Sequence, residues 1–566
     1  MTTSTTVQEQ PRGRFAADPL GFVLQNAHWL AGLGLVILWV VWLETSIGGS
    51  WSSGQRRNLY LANVMLLYMM VAIGLNLISG YVGAASIGHI GFFAIGAYTM
   101  AILTTDYGWN AWLAIGAGAL VSTAASLPVG LILLRLSGWY FSVVTLLLVV
   151  VVNDIILQQS DLTGGGAGIF GVTMPSIGSR QLDSHDYIYL VGGINVVVFL
   201  MLRYMLDRTR WGRAFLGVRD AEPAARAVGI QPFVVQASTL AMSAFLAGLA
   251  GALFAPLPGI ITPDSFPILD SIFFLLAVLA GGMGTVPGPV VGTLTLYLVP
   301  EWLNRQRLLE DYSYLVYGVL LLLFVIFLPE GLVGGVRRYW HRFFGARMVR
   351  RPSAADWPAT PADAASLALA HLRSRTDSST TAAAIRVDGV SKAFSGVAAL
   401  SNISVVVNPG TIHALIGPNG SGKTTLVNVI SGFYKQDAGS VATFGHRLRR
   451  GGSSRAIRHG IARTFQTPQM LRARSALDNV MLGAHSRGRV TMLDGLLPLP
   501  HVWRERKRAE ATARACIALV GLDASIEDTP VGALPFAHQR LLEIARALAG
   551  APHVLLLDEP ASGLHP

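Results

Sequence analysis

Long apolar runs fill the first three fifths of the chain, and short β-branched segments separated by glycine turns follow them. An apolar run of about 17 to 25 residues can cross the hydrocarbon core of a bilayer as one α-helix. The runs nearest to this length lie at 27–43, 59–79, 87–104, 111–134, 139–158, 187–206, 232–255, 269–283, 287–300 and 313–329. The pattern predicts a polytopic α-helical membrane domain over residues 27–335, with about ten spans behind a cytosolic tail at 1–26.

Glycine interrupts several of these runs, most visibly in SGYVGAASIGHIGFFAIGAY, from Ser79 to Tyr98. Glycine lets two membrane helices approach closely, and it also lets a helix unwind beside a polar pathway. We expect close packing slightly more than unwinding. Polar residues within the runs could line a solute path, but interhelical hydrogen bonds explain such residues more often. These residues are Asn63, Asn76, His89 and Asn153, whereas Asp154 lies near the end of a run and is expected to face water.

Arginine is concentrated in two polar stretches that flank the predicted spans. The net charge is +11, yet only 13% of the residues are charged, about half the usual share. The arginines are Arg203, Arg208, Arg210 and Arg213 in one stretch, and Arg337, Arg338, Arg342, Arg347, Arg350 and Arg351 in the other. Because positively charged loops stay in the cytosol, both stretches and both termini are predicted to be cytosolic. This topology leaves Arg56, Arg57, Arg305 and Arg307 outside. No nucleic-acid partner is expected, since aromatic stacking residues are not interleaved with the arginines.

Cys516 is the single cysteine of the chain. One cysteine excludes an internal disulfide framework and a zinc cluster of cysteines, so we expect a core thiol. The first 25 residues are polar and lack a small-residue cleavage site behind a short apolar core. No removable signal peptide is therefore predicted.

The second half of the chain has the pattern of a soluble domain. Residues 336–384 are basic, rich in Ala, Ser, Thr and Pro, and read as a linker. Beyond them, AIRVDGVSKAFSGVAALSNISVVV and TIHALIGPNGSGKTTLVNVISGF show short strands, a glycine turn and a helix. We predict an α/β P-loop nucleotide-binding domain over residues 385–566.

The segment GPNGSGKT, from Gly417 to Thr424, fits the phosphate-binding pattern G-x-x-x-x-G-K-[ST] between a predicted strand, IHALI, and a predicted helix, TTLVNVIS. In this motif backbone N–H groups wrap the β-phosphate, the ammonium of Lys423 reaches the β and γ oxygens, and the Thr424 hydroxyl ligates Mg²⁺. An ordinary glycine turn is the alternative, and a second phosphate-site motif further along argues against it. The residues predicted to bind ATP here are Gly417, Asn419, Gly420, Ser421, Gly422, Lys423, Thr424 and Thr425.

That second motif is LLLDE at 555–559, which resembles a buried strand that delivers two carboxylates. Asp558 is expected to hold Mg²⁺, directly or through water, and Glu559 to polarise the attacking water as general base. A buried ion pair is the alternative.

A literal G-x-G-x-x-G also occurs, from Gly166 to Gly171, but it lies between membrane runs with no strand before it. We reject it as a dinucleotide site.

These motifs, with RTFQTPQML around Gln466 and LPFAHQRLLEIARAL before LLLDE, resemble the ATPase subunits of ABC transporters over residues 385–566. VSKAFSGVAAL, ARTFQTPQ and RLLEIARAL are most similar to the ATPase of the branched-chain amino acid importers. The resemblance implies a RecA-like, ABC-type fold. It also implies that Phe394 stacks on adenine, and that Gln466 acts in catalysis beside Mg²⁺ by sensing the γ-phosphate and the permease.

The membrane half resembles the permease subunit of the same importers in GLNLISGYVGAASIGHIGFFAIGAYTMAIL, YFSVVTL, LTGG and GRAFLGVRDAEPAARAVGI. In that resemblance the loop at 207–230 forms the short coupling helix that docks on an ATPase. The residues that carry this expectation are Glu222, Ala224, Ala225 and Gly229. A merely solvated cytosolic loop is the alternative.

Two features depart from the family. Its signature loop, Leu-Ser-Gly-Gly-Gln, corresponds here to Leu534, Pro535, Phe536, Ala537 and His538. Pro535 has neither a hydroxyl nor an N–H, and Ala537 adds a β-carbon where the backbone must approach a phosphate. With an intact signature on a partner ATPase, the site built on Lys423 would hydrolyse ATP while the other site only binds it. The family's switch histidine is also missing, since His565 is too close to Glu559 to orient the lytic water. The sequence therefore predicts an ATPase domain truncated after LLLDE.

The two resemblances together imply an ATP-driven importer of branched-chain or related amino acids in a prokaryotic inner membrane, with permease and ATPase on one chain. They imply three partners: a second permease subunit, a second ABC ATPase subunit and an extracytoplasmic substrate-binding protein. One alternative is import of another small polar solute, such as urea, an amide or an aromatic acid. Another is an ATP-binding membrane regulator with an incomplete, non-hydrolysing ATPase. Export is a third, against which the coupling-loop resemblance argues.

Overall fold

A computed structural model describes residues 53–132, 138–305, 330–344, 382–448 and 452–560, with isolated positions between 315 and 328 and at 366. The predicted span at 27–43, most of the one at 313–329, most of the linker and residues 561–566 lie outside this description.

The N-terminal half is built from apolar helices, as the runs predict. They are α1 Ser53–Leu75, α2 His89–Thr105, α3 Ala111–Ile132, α4 Trp139–Gln158, α5 Ser184–Arg208, α6 Arg210–Asp220, α7 Glu222–Ala227, α8 Pro232–Phe254, α9 Ile268–Gly281, α10 Gly288–Arg305 and α11 Gly331–Phe344. Six described helical segments are long and apolar enough to cross a membrane, and two shorter apolar helices lie at His89–Thr105 and Gly288–Pro300. These coincide with eight of the predicted runs, while the total of about ten spans stays a prediction. The boundary predicted at residue 335 falls inside α11.

Glycines allow the central helices α2, α3 and α8 to pack with their backbones in contact. A Cβ added at Gly96 on α2 would lie 2.1 Å from the carbonyl oxygen of Gly248 on α8, and one at Gly118 on α3 would lie 2.7 Å from that of Gly96. No side chain fits at such distances, so the expected close packing is confirmed.

The same glycine-rich run also unwinds. Helix α1 continues as a π-helix over Asn76–Tyr81, and the chain is then irregular until α2 begins at His89. This irregular stretch is fixed to α4, because Ile87 N donates to the Thr145 hydroxyl at 3.0 Å and Ser142 donates to the Ala85 carbonyl at 2.8 Å. Irregular backbone at membrane depth is tolerated where protein groups satisfy it.

Most of the polar residues in these runs form hydrogen bonds with another helix or with a loop of the membrane domain. Asn63 donates to the Ser184 carbonyl at 3.0 Å, Asn76 donates to the Thr285 carbonyl at 2.8 Å, and the His89 Nε2 lies 2.6 Å from the Ser243 hydroxyl. The Asn153 side-chain oxygen has no partner in the described part of the chain. Asp154 is exposed, as expected, and accepts a hydrogen bond from Gln158.

Short strand pairs connect the helices on the side of the domain opposite α6 and α7. Strands β1 Ile169–Phe170 and β4 Ile260–Ile261 pair antiparallel, as do β2 Ser176–Ile177 and β3 Arg180–Gln181. The rejected Gly166–Gly171 motif lies at β1 and precedes no helix of the P-loop kind.

The C-terminal half is an α/β domain. Its antiparallel sheet has the strand order β6, β5, β7, β8, and a separate parallel pair joins β9 to β10. The strands are β5 Ile385–Phe394, β6 Val397–Val407, β7 Ala438–Thr443, β8 His446–Leu448, β9 Ile461–Arg463 and β10 Val554–Leu556. The helices are α12 Lys423–Ile430, α13 Ser453–Arg458, α14 Ala476–Gly483, α15 Pro500–Leu519 and α16 Phe536–Ala549. Cys516 is buried on α15 in a cluster of apolar side chains, which confirms the core thiol.

The strand predicted over IHALI, residues 412–416, is wrong, whereas the helix predicted after it is α12. Residues 411–418 form no strand, and Ile412 and Ile416 are almost fully exposed. A strand requires a neighbour for its backbone N–H and C=O groups, and no described strand pairs with this segment.

Candidate functional site

The loop that precedes α12 has the geometry of a phosphate cradle. Gly420 and Gly422 adopt φ angles of +84° and +87°, a left-handed conformation that favours glycine. The turn leads straight into the N-terminus of α12, where backbone N–H groups and the helix dipole favour an anion. Lys423 Nζ folds back on the loop and donates to the carbonyls of Gly417 and Pro418, each at 2.7 Å. This loop fits the triphosphate that the motif predicts.

The carboxylates of LLLDE and the predicted Gln466 lie together at the ends of β9 and β10. Gln466 Nε2 donates to Glu559 Oε2 at 3.1 Å, and Asp558 lies 3.7 Å from the guanidinium of Arg463. The ion-pair alternative therefore describes Asp558, but Glu559 is exposed and forms no ion pair within the described residues. Carboxylate, amide and hydroxyl oxygens from Asp558, Gln466 and Thr424 are the hard donors that Mg²⁺ prefers.

A buried arginine that sequence reasoning missed ties these elements together. Arg540 on α16 is fully buried and donates to the backbone carbonyls of Phe465, Asp558 and Glu559, and to the carboxylate of Glu543. One guanidinium thus bridges the signature helix, the Gln466 loop and the end of β10. Its place two residues after the signature loop was the only signal in the sequence.

The network extends one turn further along α16. Glu543 accepts from Gln469 N at 3.4 Å, and Arg546 donates to the Gln469 carbonyl at 2.5 Å. Burial raises the pKa of Glu543, while Arg546 and Arg540 act in the opposite direction. The loop after Gln466 is therefore held at both its start and its end by charged side chains of one helix.

The signature residues lie at the N-terminus of α16, where the resemblance places them. Pro535 is the N-cap, and no side chain caps the first N–H groups of the helix. Gln539 donates from its side chain to the Leu534 carbonyl at 2.8 Å, and Phe536 is exposed. Ala537 follows on the helix, and the buried His538 Nδ1 lacks a partner among the described residues. The uncapped N–H groups can face a phosphate, but the loop offers no hydroxyl to it.

Phe394 ends strand β5 with its ring partly exposed. Tyr434 approaches it edge-on with 5.1 Å between ring centroids, and Lys392 Nζ lies 5.2 Å from the ring centroid. An exposed aromatic ring with a neighbouring cation suits stacking on a nucleobase.

The predicted coupling loop forms helices α6 and α7, and both contact the C-terminal domain. Arg210 donates to the Val490 carbonyl at 2.6 Å and to the His485 carbonyl at 2.9 Å, and Trp211 Nε1 donates to Val490 at 3.1 Å. Arg210 also lies 3.7 Å from Glu505 on α15. These contacts argue against a merely solvated loop.

The four residues chosen from the sequence lie on or beside α7. Glu222 pairs with Arg226 on the same helix, Ala224 and Ala225 are fully buried, and Gly229 has φ +92°. A Cβ at Gly229 would lie 3.3 Å from the Ser486 Cβ and 3.5 Å from the Ile457 side chain, both in the C-terminal domain. Small residues at these positions allow α7 to pack directly on α13.

His485, whose carbonyl accepts from Arg210, is partly buried, and its Nδ1 atom is shielded from solvent. Its ring meets Trp211 edge-on with 5.6 Å between centroids. Burial, with Arg210 and Arg213 nearby, lowers the pKa of His485 to about 3. The docked interface therefore holds a neutral imidazole.

Helix α6 also contacts the unwound membrane segment. Arg219 Nη1 donates to the Gly80 carbonyl in the π-helix at 2.6 Å. In turn, Asn76 in the same π-helix binds Gly284 N and the Thr285 carbonyl in the loop after α9, each at 2.8 Å. A continuous set of contacts thus runs from the C-terminal domain through α6 to the interior of the membrane domain.

Two family models match the two halves of the chain. The permease component of the branched-chain amino acid transport system matches residues 58–325, and the ABC transporter model matches residues 400–562.

Curated relatives also divide between the halves. The high-affinity branched-chain amino acid transport system permease protein LivM of Salmonella typhimurium is 32% identical over 302 residues, covering 49% of this chain and 70% of that protein. The ATP-binding protein LivG of Escherichia coli K12 is 34% identical over 182 residues, covering 32% of this chain and 71% of that protein. Among solved structures, a nucleotide-free ATP-binding cassette from an ABC transporter is 34% identical, with a TM-score of 0.28 and coverage of 32% of this chain and 72% of that one.

Proposed function

Since the chain belongs to the ABC transporters and joins a branched-chain amino acid type permease to an ATP-binding cassette, we propose that it imports branched-chain or related amino acids at the expense of ATP. The observation that carries the proposal is the contact of Arg210 and Trp211 with the carbonyl of Val490, which joins the two halves. Through it, a movement of the ATPase domain displaces α6.

The P-loop binds the nucleotide, and the residues at the ends of β9 and β10 activate the attacking water. Lys423 and the N–H groups of Gly420 to Thr424 hold the phosphates, and Phe394 stacks on the adenine. Glu559 accepts a proton from the attacking water, and Gln466, which binds Glu559 at 3.1 Å, sets its orientation. Thr424, Gln466 and Asp558 would hold Mg²⁺, which would supply positive charge against the triphosphate.

Transmission follows the contacts of α6. Closure of the ATPase domain on a second ATPase subunit pulls α6 through Arg210, and Arg219 passes the displacement to the π-helix at Gly80. The unwound segment between the π-helix and α2 then changes its packing on α4. Alternating access requires such a discrete rearrangement of packed elements.

Completion of the transporter requires a second permease, a second ATPase and an extracytoplasmic binding protein in a prokaryotic inner membrane. In the composite sites of such a pair, the altered loop from Leu534 to His538 serves the partner's nucleotide. We infer that hydrolysis takes place at Lys423 and Glu559, while the partner's site mainly binds ATP.

Uptake of labelled solutes by the assembly in proteoliposomes tests the proposal. Binding-protein-dependent uptake of leucine that requires internal ATP is expected, with little uptake of urea or an aromatic acid. Uptake of urea without leucine would refute the amino acid assignment. Binding of ATP without any solute uptake would favour a regulator, and extrusion of loaded solute would indicate an exporter.

A further inference from the structure

A carboxylate lies inside the membrane domain on a helix that faces its aromatic core. Asp270 is the eighth residue of the apolar segment Pro263–Gly281, whose length is that of a membrane span. It is the third residue of α9 and lies in the first turn of that helix, within the apolar segment. An ionisable side chain at such a place is costly and is usually retained for a functional partner.

Asp270 has a hydroxyl partner but no cation. The Tyr68 hydroxyl of α1 donates to Asp270 Oδ2. Within the described part of the chain, no lysine or arginine forms an ion pair with this carboxylate. Since the described residues provide no cation here, this carboxylate is suited to a cationic group that arrives with a ligand.

The carboxylate lies at the edge of an aromatic cluster that surrounds Tyr68. The ring centroid of Tyr68 lies 4.9 Å from Phe274, 5.8 Å from Phe273 and 6.3 Å from Tyr297. Tyr68, Asp270, Phe273 and Tyr297 are each only partly buried, so none of the four is sealed within the protein core. Aromatic rings attract an ammonium group and also provide an apolar wall for an aliphatic side chain.

Helix α9, which carries Asp270, is bound to the helices on both sides of the unwound segment. The Ser271 hydroxyl accepts from Ile90 N, in the first turn of α2, at 3.4 Å. The loop after α9 binds Asn76 through Gly284 and Thr285. A displacement of the π-helix by Arg219 therefore reaches the helix that carries the carboxylate.

We propose that Asp270, with the Tyr68 hydroxyl and the surrounding rings, binds the α-ammonium group of an aliphatic amino acid during its passage through the permease domain. The proposal rests on the transport function proposed above and adds a specificity site to it. A carboxylate here admits a zwitterion, repels a monocarboxylic acid and gains no ion pair from urea.

The test uses the complete assembly in proteoliposomes with saturating leucine-loaded binding protein, and it records leucine uptake and ATP hydrolysis in the same vesicles. Asp270→Asn removes the charge at constant shape, and Asp270→Glu restores it. Tyr68→Phe removes only the hydroxyl. Asp154→Asn, an exposed acid on the neighbouring helix α4, is the matched control.

Asp270→Asn is expected to lower uptake about tenfold or more, because the loss of a hydrogen bond to a charged group corresponds to a factor of this size. Hydrolysis of ATP should stay within about twofold of the wild type. Asp270→Glu is expected to keep uptake within about threefold, and Tyr68→Phe to lower it about threefold. A packing role would reduce hydrolysis and uptake together and would not be rescued by glutamate.

Equal uptake by Asp270→Asn and Asp154→Asn would overturn the ammonium site and leave the proposed transport function intact. If Asp270→Asn cannot be recovered from the membrane, Tyr68→Phe decides: unchanged uptake in this variant overturns the site. If the wild-type assembly hydrolyses ATP and takes up urea but no leucine, the transport function itself fails, and the ammonium site fails with it.

Discussion

Replacement of Arg540 by methionine tests whether this side chain holds the Gln466 loop and the end of β10 in place. Methionine keeps the length of the side chain but leaves Glu543 without its partner at 3.1 Å and the carbonyls of Phe465, Asp558 and Glu559 without their donor. Removal of one member of a buried ion pair costs about 3 to 5 kcal/mol. Each of the three partly buried carbonyls that loses its donor adds about 0.5 to 1.5 kcal/mol, the net contribution of a hydrogen bond. The free energy that holds the Gln466 loop and the end of β10 against α16 should therefore fall by at least about 3 kcal/mol.

Hydrogen exchange read by mass spectrometry measures this loss in the complete assembly. A loss of about 3 kcal/mol corresponds to exchange about a hundredfold faster in the segments 463–469 and 554–559. Hydrolysis of ATP should fall about a hundredfold as well, because Gln466 and Glu559 lose their fixed geometry. Nucleotide binding should stay within about threefold, since Arg540 makes no contact with the P-loop residues.

Arg504→Met provides the matched control, because Arg504 is exposed on α15. Exchange and hydrolysis in this variant should equal those of the wild type. The reasoning is refuted if Arg540→Met exchanges and hydrolyses like Arg504→Met, because the guanidinium would then not hold these segments.

Three further predictions concern the interface and the core. Arg210→Ala should lower leucine uptake per ATP hydrolysed about tenfold by removing charged hydrogen bonds to the ATPase domain, whereas the exposed neighbour Arg208→Ala should leave this ratio unchanged. The lowered pKa of His485 means that the docked state binds fewer protons, so docking is at full strength above the free pKa of about 6.5 and weakens as pH falls towards 3. The uptake-to-hydrolysis ratio should accordingly fall between about pH 7.5 and about pH 5.5, and His485→Asn should remove most of that dependence. Burial raises the pKa of the Cys516 thiol to about 12, so maleimide should label the native chain at least about a hundredfold more slowly than the denatured chain, and rapid labelling would contradict the buried position.

The membrane helices and the phosphate loop could be predicted from the sequence because local patterns specify both. A long apolar run is enough to predict a membrane span. Glycines at fixed spacing before Lys423 predict a turn whose left-handed backbone conformation is unfavourable for other residues. The coupling loop was predicted from the resemblance of GRAFLGVRDAEPAARAVGI to a permease subunit, and its charge and position between spans only weakened the alternative of a solvated loop. The contacts of this loop with Val490 and His485 could not be predicted, because no feature of the sequence near Arg210 indicates which residues of the other domain it meets.

Elements that depend on distant partners could not be predicted. The segment 412–416 has the composition of a strand, but a strand forms only where another strand pairs with it. Arg540 resembles any other helix arginine until folding brings the carbonyls of Phe465 and Glu559 to it. The same holds for Asp270, whose partner Tyr68 lies 202 positions away in the chain.

The central claim is that ATP hydrolysed on this chain drives the passage of an amino acid through the same chain. Leucine uptake and ATP hydrolysis, measured together in proteoliposomes with wild-type and Glu559→Gln chains and unaltered partner subunits, test this claim most directly. We predict that both rates fall at least about a hundredfold in the variant while ATP is still bound. Hydrolysis and uptake that persist at wild-type rates without Glu559 would contradict the claim and move the motor to the partner ATPase.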